Sequence, residues 1–281
     1  MAIVGPTVSF KIMPAFWTEK GKSLKNEQEK KPAPCDIAKF TIREVTELGR
    51  AVRSMGGGAS CMEEVAGRIV RYLYDALVDG RTGERACPLI RFFKTQAYEE
   101  LPGDLQAFAM KMLDKDSPQP GMKCMTLLGT IGEDPKWDSR GTSRGHQAIP
   151  LPSEEVVHQL PMIRNLIKQL GLSVQSVVNP DPALLLDMEQ NTYGVFFVPE
   201  ALGSPYIPGQ KEFVTPYGIK SVVGFGGMLP SLDIFVVILF LRLSITRETA
   251  DLFKNLSLNT KLAVLPFEKA VFASSQKGAS T

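Results

Sequence analysis

Few side chains in this chain could do covalent or acid–base chemistry: its 281 residues include four cysteines and two histidines. Cys35, Cys61, Cys87 and Cys124 are far apart, and no CxxC pair occurs among them. Thiol catalysis needs an exposed thiolate of lowered pKa and a second thiol to resolve the intermediate. Cys87 is followed by Pro88, and both Cys87 and Cys124 lie in apolar runs, so both are expected to be small buried hydrophobes. His158, followed by Gln159 and Pro161, carries part of a kinase phosphoacceptor pattern but lacks the acidic residue after the histidine, and it reads as a surface residue. Gly21-Lys22-Ser23 resembles the end of a phosphate loop. Phe16 stands where that motif needs its first glycine, so no nucleotide site is read there. Arg91 lies in the run CPLIRFFKT, from Cys87 to Thr95, whose pattern is that of a strand. Leu89, Arg91 and Phe93 share one side of it, and Ile90, Phe92 and Lys94 share the other. A guanidinium in such company lies at an edge or points into a cavity, where it can hold an acidic group.

The elements that must position these residues follow from periodicity. Ile234 to Leu241 (IFVVILFL) is apolar at every position, which predicts a central strand buried on both faces. It pairs through the turn Leu229–Asp233 with a β-type run from Ile219 to Met228, as an antiparallel hairpin. Thr246 then opens a helix predicted to last until Pro266. Its main face is Ala250, Phe253, Leu256, Thr260, Ala263 and Val264. Leu258, Leu262 and Leu265 form a second stripe, suited to the same helix of a second subunit. Upstream, Asp36 is placed as the cap of a helix running to about Ser54. Ser60 and Glu63 form a capping box for a second helix, which ends near Asp79-Gly80. Further helices are predicted over Leu101–Leu113, from Pro161 to Gly171 and over Ala183–Glu189. Further strands are predicted over Lys123–Ile131, Gln147–Leu151 and Thr192–Pro199. The polar loop from Gly132 to Gly145 holds Trp137, Arg140 and Arg144 and leads into His146; long loops on a rigid sheet are where sites collect.

The totals set bounds. Hydrophobic residues make up 44% and charged residues 22%, with net charge +2, an ordinary globular composition. That balance provides no electrostatic footprint for nucleic acid. IFVVILFL is bracketed by Asp233 and Arg242 and is far shorter than the roughly 20 residues of a membrane span, so none is read. No secretory signal is read at the start, and reduced thiols and a cytoplasmic location are the expectation. Helices that precede, interrupt and follow five or six strands argue an α+β fold with an antiparallel sheet. Residues 1–35 read as a flexible lysine-rich lead, 36–266 as one domain and 267–281 as a disordered tail.

From about Cys87 to Pro266 the chain resembles the GAF-like sensory input domains of bacterial hybrid histidine kinases. The segments that carry this are CPLIRFFKTQAYEELP, MKCMTLLGTIGEDPKW, SRGHQAIPLPS, the block from EQNTYGVFFVPEALGSPYIPGQ to GIKSVVGFGG, and ITRETADLFKNLSLNTKLAVLPF. The resemblance implies a GAF/PAS-like central antiparallel sheet of five to six strands flanked by helices. It also implies a non-catalytic, homodimeric module of a two-component signalling system. Such a module binds an unidentified small molecule and relays its binding through the terminal helices to a histidine kinase or another signalling partner. No cofactor follows from it. The chain ends soon after Pro266, which fits a stand-alone sensor or a piece of a kinase. The fold so implied places Arg91, Phe93, Trp137, Arg144, His146 and Tyr193 around a pocket over the sheet. The plainer expectation is that Phe93 and Tyr193 are core and that Arg144 and His146 tie down the loop. Two other functions remain in view: a cysteine-based reductase of GAF fold acting on methionine sulfoxide, and a ligand-free interaction module built on the Leu258, Leu262 and Leu265 stripe.

Overall fold

The computed structural model describes residues 32–113, 117–143, 145–180 and 194–273. Gly21-Lys22-Ser23, the predicted helix over Ala183–Glu189, and the site candidates Arg144 and Tyr193 lie outside the described residues. The strands are β1 (Cys35–Asp36), β2 (Leu77–Val78), β3 (Leu89–Ala97), β4 (Lys123–Gly132), β5 (Ala148–Leu151), β6 (Val195–Val198), β7 (Ser221–Met228) and β8 (Ile234–Leu241). The helices are α1 (Ile42–Ser54), α2 (Met62–Ala76), α3 (Gly103–Leu113), α4 (Glu154–His158), α5 (Pro161–Gln169), α6 (Val174–Val178), α7 (Arg247–Leu252) and α8 (Lys254–Val264). Six strands form one antiparallel sheet in the order β5-β4-β3-β8-β7-β6, and β1 pairs with β2 in a short parallel ladder. The architecture is α+β, a central antiparallel sheet flanked by helices.

β8 lies between β3 and β7 and is buried along its whole length. Its odd-numbered residues Phe235, Val237, Leu239 and Leu241 pack beneath α1, α2 and α8. Its even-numbered residues Ile234, Val236, Ile238 and Phe240 pack beneath α4, α5 and α6. Each such side chain contributes roughly 1.5–3 kcal/mol on burial, before chain entropy is subtracted. That two-sided cover is why the strand tolerates no polar residue. α2 crosses β4 at Gly129, beside a register shift in the β3–β4 ladder; a Cβ there would meet the Ala66 backbone at 2.8 Å. The exposed edge of β6 is closed by Gln169. Its side-chain carbonyl accepts from Phe197 N at 3.0 Å and its amide donates to Phe197 O at 3.3 Å, which blocks strand addition.

Several boundaries differ from the expectations, each for a local reason. Thr41 caps α1, in a reciprocal box with Glu44, while Asp36 caps only a short 3-10 turn. Ser60 bonds Glu64, not Glu63, and Cys61 at the start of α2 makes no side-chain cap. The leading N–H groups of α2, on Met62 and Glu63, donate instead to the Ala270 and Val271 carbonyls, both at 2.9 Å. α2 stops at Ala76 because the chain turns extended there to pair with β1. The terminal helix is two helices. Backbone bonds tighten at Phe253, whose buried ring packs on Phe40 at 5.0 Å and Phe225 at 6.0 Å. The ends of the domain need the largest correction. Cys35 is buried in the core rather than lying in a lead, and residues 267–273 are not a loose tail. Val271 is 6% exposed and its segment caps α2.

Candidate functional site

The sheet face turned toward α4 to α6 carries a cavity of about 530 Å³. Alternation along β3 aims Leu89, Arg91 and Phe93 into it, while Ile90 and Phe92 pack under α2. Met125, Ile238 and Phe240 complete the sheet side, and Met162, Ile163 and Leu166 of α5 face it. The rim comes from two loops: Lys136, Trp137, Gly145 and His146 between β4 and β5, and Pro208, Gly209, Glu212 and Phe213 before β7. Four of the six sequence candidates thus line one cavity, Arg91 and Phe93 from the sheet and Trp137 and His146 from the rim.

Arg91 is the cation on the sheet side of this apolar space. One terminal nitrogen donates to Ser143 Oγ at 3.4 Å, the other makes a long contact of 3.5 Å with His146 Nδ1, and its Nε has no partner. Burial lowers its pKa to about 10, with no nearby carboxylate among the described residues to offset the loss of hydration. Arginine can only donate, so a hydrogen bond across this contact requires Nδ1 of His146 as acceptor and the ring proton on Nε2. Much of His146 is open to solvent, yet loss of hydration at this ring, and after it the Arg91 charge, hold its pKa below the ordinary imidazole value. Its backbone is left-handed, at φ 61°, a conformation a non-glycine residue keeps only where its surroundings impose it. Here Ser143 Oγ donates to Gly145 O at 3.1 Å and braces the approach to that residue.

The rim is stapled at both ends. Arg242, following β8, forks onto both carboxylate oxygens of Glu133 at 2.5 Å and donates to Tyr217 O at 3.0 Å. Trp137 packs on Tyr217 at 4.7 Å and on Phe213 at 5.6 Å, and Phe213 packs on Phe240 at 4.9 Å. Gln210 organises the second loop, its amide donating to the Ala201, Ser204 and Ile207 carbonyls and its oxygen accepting from Gly203 N. Arg140 ties the first loop outward: Nε donates to Glu63 of α2 at 2.7 Å, Nη1 to Asp104 of α3 at 2.9 Å, and the guanidinium lies 5.3 Å over the Phe272 ring. The contributions of Phe213, Tyr217 and α5 were missed in the sequence. The aromatic spacing in SPYIPGQKEFVTPYG was the available signal, but nothing local says which way that loop folds.

Other reactive groups lie elsewhere. All four cysteines are buried. Burial first, then nearby carboxylates, push Cys35 and Cys124 up to about 12, and burial alone raises Cys87 further. Cys124 pairs with Gln96, whereas Cys87 precedes Leu89, so the two thiols sit at opposite ends of the β3–β4 ladder, roughly 30 Å apart by strand rise. His158 is exposed on α4. Among the described residues no group of three His, Cys, Asp or Glu side chains could hold a metal ion, and no helix is long and apolar enough to cross a membrane.

No protein-family model matches the chain, and no curated protein matches it in sequence. Solved structures do resemble it in fold. A free methionine-R-sulfoxide reductase from Neisseria meningitidis, solved with its substrate, is 11% identical with a TM-score of 0.45, covering 85% of this chain and 96% of that one. A GAF domain from a phosphoenolpyruvate-protein phosphotransferase of Coxiella burnetii is 10% identical with a TM-score of 0.40, covering 81% and 95%. The phycoerythrobilin-bound GAF domain of a cyanobacterial phytochrome is 10% identical with a TM-score of 0.35 over the same shares. The architecture is defined by the sheet order and by the helical layers on its two faces.

Proposed function

We propose that the chain is a non-catalytic, GAF-like sensory module of a bacterial two-component system, which takes a small molecule into the cavity over its sheet. The observation that carries this reading is the cavity itself: about 530 Å³, walled by apolar side chains and supplied with the cationic Arg91 and the neutral His146. Such a lining, mostly apolar with a few convergent polar groups, is what small-molecule sites need. The loop that forms the rim is bound through Arg140 to α2, α3 and the segment around Phe272. Occupancy that moves the rim therefore pulls on the terminal elements, which is the relay a histidine kinase or another partner would read. The buried, raised-pKa thiols of Cys87 and Cys124 and their separation support a non-catalytic role over redox chemistry between them.

A thermal-shift screen of small metabolites, run in parallel on Ile238→Trp, tests the reading. Ile238 lines the cavity, and an indole there fills much of it. At least one compound is expected to raise the melting midpoint of the parent and to have no effect on the filled variant. A hit should also slow amide exchange around residues 268–273. Hits that stabilise both proteins equally would place binding elsewhere and overturn the assignment.

A further inference from the structure

Arg91 is a cation without a counterion at the base of an apolar cavity. Among the described residues no carboxylate pairs with it. Its two terminal nitrogens reach only neutral groups, at 3.4 and 3.5 Å, and its Nε reaches none. A guanidinium short of partners beside an apolar cavity is costly to keep in the absence of something that satisfies it. A guanidinium fork matches one carboxylate in geometry and charge. At the rim Lys136 and Glu212 carry opposite charges, so selection for charge falls to Arg91. The remaining wall offers aromatic surface in the edge-to-face rings of Trp137, Phe213 and Phe240.

We propose that the cavity selects an aromatic monocarboxylic acid, its ring among Trp137, Phe213 and Phe240 and its carboxylate against the guanidinium of Arg91. A single acid group fits because the cavity base has a single unpaired cation. The volume accommodates a one- or two-ring compound. This inference rests on the reading of the cavity as a sensor's ligand site and adds the ligand's chemical class.

Naphthalene-2-carboxylate and naphthalene-2-carboxamide have the same shape and differ in charge, so calorimetric titration of the full chain with each isolates the acid. The acid is expected to bind at least about tenfold tighter than the amide, the difference a charge-assisted pair supplies. Arg91→Met should bring the acid's affinity down to about that of the amide, and Arg91→Lys should restore part of the preference. Equal binding of acid and amide to the parent, or an acid preference that survives in Arg91→Met, overturns the proposed class and leaves the cavity as a site for neutral ligands. Failure of both compounds to bind, together with a screen in which nothing depends on Ile238, overturns the ligand-site reading as well.

Discussion

Lys94 is 2% exposed, and its ammonium is held by Asp233 Oδ2 at 2.7 Å and by the Thr95 carbonyl at 3.0 Å. Lys123 takes the other carboxylate oxygen at 2.8 Å, and Ser231 Oγ donates to Asp233 at 3.0 Å. Burial alone would raise the Asp233 pKa, but Lys94, Lys123 and their hydrogen bonds outweigh it and hold the carboxyl below its usual range. Asp233→Asn leaves Lys94 buried without its anion, so a loss of about 3–5 kcal/mol is expected in urea denaturation at neutral pH. The pH dependence has a definite sign. A carboxyl whose folded pKa is lowered contributes stability above its unfolded value near 4, and that stability disappears as pH falls through the folded value. The parent should therefore lose stability steeply below about pH 4, and Asp233→Asn should show a flatter profile there. A variant with the parent's midpoint at both pH 7 and pH 3 would refute the assignment. The partners of this cluster lie up to 139 positions apart, so nothing in the sequence could pair them. Arg91 was legible for the opposite reason: strand alternation by itself sets which neighbours share its side.

Elements were legible where one period ran unbroken. IFVVILFL, KCMTLLGTI and the stripes of α1 and α2 all became the elements their patterns predict. Misreadings fell at helix ends, where a backbone N–H can be satisfied by distant groups that periodicity does not name. The start of α2 is capped by carbonyls of Ala270 and Val271, and Arg140 reinforces that strap through Glu63 and Phe272. Removing the guanidinium costs two charge-assisted bonds in a half-buried setting, roughly 1–3 kcal/mol. Arg140→Gln is expected to keep the sheet intact but to speed amide exchange at Met62 and Glu63 by at least about tenfold through local opening. Exchange at the parent rate in that variant would show that the strap holds without Arg140, and the proposed relay through it would fall.

On the scale of the molecule, what remains open is the outer surface of the terminal helices. Leu258 is 50% exposed and Leu262 36%, with Leu265 half-buried beside them, while the opposite face of α8 is in the core. Leu258 borders a groove shared with Thr46, Arg50 and Arg53 of α1. A homodimer of the kind the sequence leads one to expect would bury this stripe. Leu258→Glu with Leu262→Glu is expected to turn a dimeric mass into a monomeric one by light scattering, with an unchanged circular dichroism spectrum; an unchanged dimer mass would exclude the stripe as the interface. Sequence alone determined the class of the fold, the central strand, the hairpin after it and the side of β3 on which Arg91 stands, because local stereochemistry and burial write a period into the chain. Only the tertiary structure decided that Arg91, Trp137 and His146 meet at one cavity with Phe213 and α5, that Lys94 finds Asp233, and that the chain's end caps α2. Those contacts join residues that share no period, and closing the loops between them is a property of the packed whole.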